Sequence, residues 1–210
     1  MATENAGNAP RSKPGAFATV AMACFVYSAM ALLTLHFLRP DYAPATNFIS
    51  NYAVGRYGWV MTTWFLAMSC GLLMLAAGLY THGLRSVVAR LGIFLLVVAA
   101  IGLVVSAIFP TDIPGAPSTS SGAIHDKSFL VNVGSIFIAT VLLSTGFGLH
   151  PAWRPYRRTA WLLTSLILIG FVVQFLTLHK GMPYGLANRF FVAVLFAWLF
   201  AVSFRLRTTG

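Results

Sequence analysis

Five histidines, four carboxylates and a few serines carry the chemistry open to this 210-residue chain. Most of them gather at the ends of its apolar stretches. His36, His125 and His179 share one level with Asp41, Asp112 and Asp126, whereas His82 and His150 belong to the opposite level. Three imidazoles and a carboxylate (His36, His125, His179 and Asp126) form a donor set that could hold Zn²⁺ and leave a position for water. Ser50, or a serine of 118–121, with His125 and Asp112 or Asp126 supplies the residue types of nucleophilic catalysis. No strand–turn–helix elbow is present to aim such a serine. A His–Asp pair acting as acid and base asks less of the fold. No histidine falls near the middle of an apolar stretch, so a bis-imidazole haem site is not expected.

The elements that must position these residues follow from composition. The chain is 58% hydrophobic and 9% charged, with a mean hydropathy of +0.80. A soluble domain has about 25% charged residues, so a soluble enzyme and a disordered chain are excluded. The expected fold class is all-α. Spans of roughly 20 apolar residues are predicted at 16–38, 57–80, 86–109, 128–149, 159–178 and 183–204. Continuous apolarity, rather than alternation, excludes a transmembrane barrel. The prediction is one six-helix membrane domain over 16–206, with a flexible tail at 1–15 and a short tail at 207–210. Cys24 and Cys70 both fall inside spans and read as packing residues.

The net charge of +10 does not indicate nucleic acid, because the basic residues form no stripe and have no aromatic interleaving on a polar face. They read instead as topology signals. Nine of the 14 basic residues (Arg11, Lys13, Arg85, Arg90, Arg154, Arg157, Arg158, Arg205, Arg207) lie on one side. The positive-inside rule places that side, with both termini, in the cytoplasm of a bacterial inner membrane. The long loops at 39–56 and 110–127 then face outward. Within the first, Phe48, Ile49, Tyr52 and Ala53 share a helical face, which predicts a short interfacial helix capped by Asn47 or Thr46 and stopped by Gly55. The second is rich in turn residues.

Four motifs at this level resemble the domain-of-unknown-function 998 family of multi-pass prokaryotic membrane proteins. They are Phe48-Ile49-Ser50-Asn51-Tyr52-Ala53 running into Gly58-Trp59, Phe109-Pro110-Thr111-Asp112, Gly122-Ala123-Ile124-His125, and Gly185-Leu186-Ala187-Asn188-Arg189. The resemblance covers nearly the whole chain. It implies a fold and no reaction.

The function expected from these residues is non-catalytic: an outward-facing polar pocket of Ser50, Asn51, Tyr52, Asp112, His125 and Arg189 binds a membrane lipid or another anionic envelope ligand. No cofactor is expected. A membrane-protein partner or a second copy of the chain is compatible with this role. The alternatives are a membrane-embedded hydrolase with an outer His/Asp site, with or without zinc, and a small-solute transporter. The hydrolase logic resembles that of ceramidase-type membrane enzymes, whose paired histidines on the last helix have no counterpart here. Transport is disfavoured because no Asp, Glu, Lys or His lies mid-span. Asn132, Gln174 and Asn188 read as interhelical glue. Arg189 lies roughly 9 Å into the sixth span at 1.5 Å per residue and needs an inward partner. Asp112, with no basic neighbour in sequence, is the predicted one.

Overall fold

Bilayer thickness dictates element length, and the described residues meet it with six helices. The computed structural model describes residues 13–179 and 181–209. The tail up to residue 12, with Glu4 and Arg11, and also Lys180 lie outside the described residues. The long helices are α1 (Lys13–Leu38), α2 (Gly58–Thr81), α3 (Val87–Ile108), α4 (Ser120–Phe147), α5 (Arg157–Leu176) and α6 (Tyr184–Thr209). All six are long and apolar enough to cross a membrane, and there is no strand among the described residues. The lipid-compatible surface is visible in bare apolar side chains: Phe37 is 78% exposed and Leu162 is 62% exposed. In water such exposure would favour aggregation; within a bilayer it costs nothing.

Consecutive helices pack side by side, and α6 closes back onto α1, so the six form a ring. Small residues set the spacing between α3 and α4. A Cβ on Gly92 would meet Leu143, and one on Gly102 would meet Asn132. Such close approach is how helices gain van der Waals contact when lipid offers no hydrophobic drive. Polar bridges complete the seams. Ser106 Oγ and Ser128 Oγ are 2.7 Å apart, and Ser69 Oγ donates to Ala100 O at 2.9 Å. Ser144 Oγ and Thr164 Oγ, between α4 and α5, are 3.0 Å apart.

The connections make the two ends unlike. At the short-loop end, Trp153 is fully buried and stacks on Phe147 with centroids 4.4 Å apart. Its Nε1–H donates to His82 Nδ1 at 3.4 Å, which leaves the proton on Nε2 to be donated to Thr209 O at 3.2 Å. Pro14 and Phe17 approach Gly78 beside Leu206, so the start of α1 and the end of α6 lie at this end. The long-loop end holds residues 39–57 and 109–119, in which a 3₁₀ helix spans Ile49–Ala53.

Several boundaries differ from expectation. α4 starts eight residues before the predicted 128, so His125, Asp126 and Lys127 are helical rather than part of a loop. The cause is a strong local cap. Thr119 Oγ1 accepts the Gly122 N–H at 3.1 Å, and Asp112 accepts the Thr119 hydroxyl at 2.6 Å. α6 runs on to Thr209, past the predicted 204. The 3₁₀ helix has Phe48 at its N-cap position and no side-chain cap, so neither Asn47 nor Thr46 fills that role. Gly55, at φ +77°, turns the chain after it.

Candidate functional site

Two arginines fix the first long loop over the bundle. Arg39 grips Asp41 through two nitrogens, with Nε donating to Oδ1 at 2.9 Å and Nη2 to Oδ2 at 2.7 Å. Its Nη1 donates to the carbonyls of Val54 (2.6 Å) and Arg56 (2.8 Å), joining the two ends of the loop. The bidentate guanidinium also holds the Asp41 carboxyl below its ordinary range. Arg189, from the second turn of α6, ties the middle of the loop. Its Nη1 donates to Pro44 O at 2.9 Å, Asn47 O at 2.7 Å and Gly185 O at 3.0 Å. Nε donates to His36 Nε2 at 2.8 Å and Nη2 to the Tyr52 hydroxyl at 3.2 Å.

The expected Arg189–Asp112 ion pair is therefore not formed. Irregular backbone at the mouth of a bundle has carbonyls without helical partners, and a guanidinium fork satisfies several of them at once. Asp112 is used elsewhere. It accepts the N–H and hydroxyl of Thr119 and packs directly over Gly122, where any Cβ would collide with the carboxylate. These bonds hold its carboxyl below the usual carboxylate range. Among the described residues the one ion pair is Arg39–Asp41.

Beneath the 3₁₀ helix lies a cavity of about 330 Å³ inside the ring. Trp64, Phe65 and Met68 of α2, Leu103 of α3, Phe129 of α4, Phe175 of α5 and Phe191 of α6 make most of its wall apolar. Its roof is Ile49, Ser50 and Asn51. Polar groups enter from α4, α5 and α6. Asn188 accepts the Ile49 N–H at 3.1 Å, and its amide nitrogen donates to Gln174 Oε1 at 3.1 Å. Asn188 is thus the glue that the sequence suggested, joining α6 to both α5 and the roof.

His125 is 3% exposed and lines the cavity, with its ring edge-on to Phe65 at 5.8 Å. Its Nδ1 lies 2.9 Å from Phe109 O. A carbonyl only accepts, so Nδ1 carries the proton and Nε2 keeps a lone pair. Nε2 has no hydrogen-bond partner among the described residues. The same holds for both amide atoms of Asn132 (6% exposed) and for the amide nitrogen of Gln174 (2% exposed). All three residues line the cavity. His125, Ser128 and Asn132 follow each other at helical spacing, so the polar stripe on α4 reaches about 10 Å below His125.

The sequence-predicted residues separate into three groups. Ser50, Asn51 and His125 line the cavity. Tyr52, fully buried, and Arg189 lie beside it as scaffold, while Asp112 holds the start of α4. Asp126 stands on the cavity's edge, exposed. Neither Ser50 nor a carboxylate hydrogen-bonds His125, so no Ser–His–Asp array is assembled among the described residues. Nor are His36, His125, His179 and Asp126 drawn together: the described residues contain no cluster of three potential metal ligands. Both nitrogens of His36 are occupied, Nδ1 by Leu32 O at 2.7 Å and Nε2 by Arg189. Trp64, Gln174 and Asn132 were not singled out as site residues; the polar stripe along α4 was the signal that could have found Asn132.

The motifs noted in the sequence turn out to contact one another. Gly185 donates to Ala45 O at 2.8 Å, and a Cβ there would strike Pro44 O. Gly122 seats Asp112, His125 holds Phe109, and Asn188 holds Ile49. A family model described as protein of unknown function (DUF998) matches residues 16–205. The chain belongs to that family. No curated protein and no solved structure matches it.

Proposed function

We propose that this DUF998 member is a non-catalytic binder of a membrane lipid, which enters the central cavity from the side, between α4 and α5. One observation carries this reading. An apolar cavity inside a membrane bundle presents His125 Nε2, the Asn132 amide and the Gln174 amide nitrogen without partners among the described residues. A polar group that faces an empty apolar cavity costs roughly 1–3 kcal/mol, so the arrangement is favourable only when hydrogen-bonding atoms fill the cavity.

The shape supports a lipid. A volume of about 330 Å³ is at the lower end of small-molecule sites, enough for a headgroup and the start of a chain. Leu130 (61% exposed), Phe175 (45%) and Leu178 (43%) line the cavity and also face outward, at the thinnest seam of the ring. α4 and α5 are joined lower down, by Ser144–Thr164 and by the parallel rings of Phe137 and Phe171, 6.3 Å apart. Acyl chains can leave through the upper seam without unfolding the ring.

Among the described residues no Lys or Arg lines the cavity. With no cation to pair it and Asp126 at the cavity's edge, an anionic headgroup is disfavoured; the headgroup is neutral and rich in hydroxyl or amide groups, which departs from the anionic ligand expected on sequence grounds. Charge distribution supports an inner-membrane location with the long-loop end facing outward. The test is lipid extraction from purified protein followed by mass spectrometry. A neutral polar lipid should copurify with the wild type and fall at least tenfold in Asn132→Leu. Equal lipid content in both would overturn the proposal. A hydrolase reading has one point in its favour, the free lone pair of His125. It requires that the bound lipid be cleaved and that His125→Asn accumulate it uncleaved.

A further inference from the structure

The ring's other end carries a cleft of different character. Pro151, Arg154, Pro155, Arg157, Arg158 and Trp161 enclose a space of about 830 Å³ that is open to the surroundings. All three arginines are exposed, and none makes a side-chain hydrogen bond or ion pair with any described residue. The chain has four acidic residues. Asp41, Asp112 and Asp126 lie at the long-loop end and Glu4 lies outside the described residues, so no described carboxylate is available to this cleft. Arg85, Arg90 and Arg207 add further positive charge at the same end. Arg39 and Arg189 are densely partnered at the other end, whereas these three converge on one cleft and have no hydrogen-bond partner among the described residues.

We infer that the cleft binds the phosphodiester headgroup of an anionic phospholipid. A guanidinium fork matches two oxygens of a phosphate, and three forks around one concavity exceed what a single solvated arginine offers. The backbone between helices is stiffened by Pro151 and Pro155, each with a fixed φ. The Arg157 stem is steadied against Gly148, whose added Cβ would lie 2.8 Å from Arg157 Cδ. The site is therefore partly set before any ligand arrives.

Two features favour a lipid over a soluble phosphate. Trp161 is half-buried at the start of the apolar run of α5, one turn beyond Arg157 and Arg158. Tryptophan favours the glycerol level of a bilayer, where its ring is wet on one side and apolar on the other. The neighbouring Leu162, 62% exposed, continues the same lipid-facing surface. A headgroup in the cleft would rest its phosphate among the arginines and lay its first chain atoms against Trp161. This site is separate from the central cavity in place, charge and ligand class, and Asn132→Leu should leave it unchanged.

Tryptophan quenching by bromine-labelled chains tests the inference on purified full-length protein in mixed micelles. Brominated phosphatidylglycerol should quench a component that brominated phosphatidylcholine does not, and Trp161→Phe should remove that component. Arg154→Gln, Arg157→Gln and Arg158→Gln should each weaken the selective quenching about fivefold, and the triple variant about a hundredfold. Because these arginines also direct membrane insertion, a triple Arg→Lys variant is measured alongside. It keeps the charge and should retain most of the selectivity while losing the bidentate contribution. Millimolar inorganic phosphate should leave the quenching intact, and raising the salt should weaken it. Three outcomes would overturn the inference: equal quenching by both lipids, selectivity that survives the Gln substitutions, or displacement by free phosphate.

Discussion

Replacing Arg189 tests the mouth of the bundle most directly. The guanidinium donates to three backbone carbonyls, to His36 and to Tyr52. Hydrogen bonds from a charged donor contribute about 1.5–3 kcal/mol each in isolation, and they are not additive within one cluster. Gly185 O belongs to α6 itself, so the contacts that hold the loop to the helix are those to Pro44, Asn47 and Tyr52, while the one to His36 ties α6 to α1. Arg189→Ala leaves two loop carbonyls and one ring nitrogen short of a donor, and the net loss should reach about 3–5 kcal/mol. At about 2–4 °C per kcal/mol for a chain of this size, the melting midpoint should fall by roughly 10 °C. Arg189→Lys keeps a charge but has no fork, and should lose about 1.5–3 kcal/mol. Unfolding followed by tryptophan fluorescence measures these losses, and hydrogen exchange locates them. Protection should drop first at residues 43–49 and at the start of α6. Asp112 touches none of these groups, so Arg189→Ala and Asp112→Ala should add to within about 0.5 kcal/mol. A fall of less than 0.5 kcal/mol for Arg189→Ala, or a coupling above 1 kcal/mol with Asp112, would refute this account of the mouth.

Asn132→Leu should be neutral or stabilising, because an amide without a protein partner gives up no bond, whereas Asn188→Leu should cost about 1–3 kcal/mol by stranding Gln174 and the Ile49 N–H; chemical unfolding of both variants distinguishes these outcomes. His150 is held below its usual value of 6.5, chiefly by burial and secondarily by the neighbouring His82. The native state thus prefers neutral His150, and this contribution is complete above about pH 6.5 and lost as pH falls through the lowered native value. Hydrogen-exchange protection at residues 82–86 and 149–156, corrected for the intrinsic rate at each pH, should fall between about pH 7 and pH 5, and His150→Gln should flatten that response; a wild-type protection profile that is already flat would contradict it. For the proposed orientation, Thr119→Cys should label in intact cells and Arg154→Cys only after permeabilisation, and the reverse pattern would invert the topology.

The membrane spans were legible because bilayer thickness fixes how many consecutive apolar residues a helix needs, and that length is a local property. That Arg189 needs partners rather than lipid was legible, since its place near the start of the sixth span follows from rise per residue, and the half-buried side chain does find them. Its partners were not legible. Choosing among three aspartates by sequence neighbours treats charge as the only currency, while the folded mouth offers backbone carbonyls brought in from positions 44 and 47. Asp112 was available in sequence and committed in space, by the Thr119 cap that also starts α4 early. That cap turned the apparent loop at 120–127 into about two helical turns and pointed His125 into the ring.

Length, hydropathy and charge asymmetry thus determined the number of helices and the unlike character of the two ends, because each is written in consecutive residues. The tertiary structure alone decided which polar groups remain without partners. Asn132, Gln174 and Asn188 look alike as isolated amides in apolar runs. Only the ring geometry satisfies Asn188 through Ile49 and Gln174 while leaving Asn132 facing open space. Hydrogen bonds act over about 3 Å, and which atoms come that close is fixed by helices far apart in the chain.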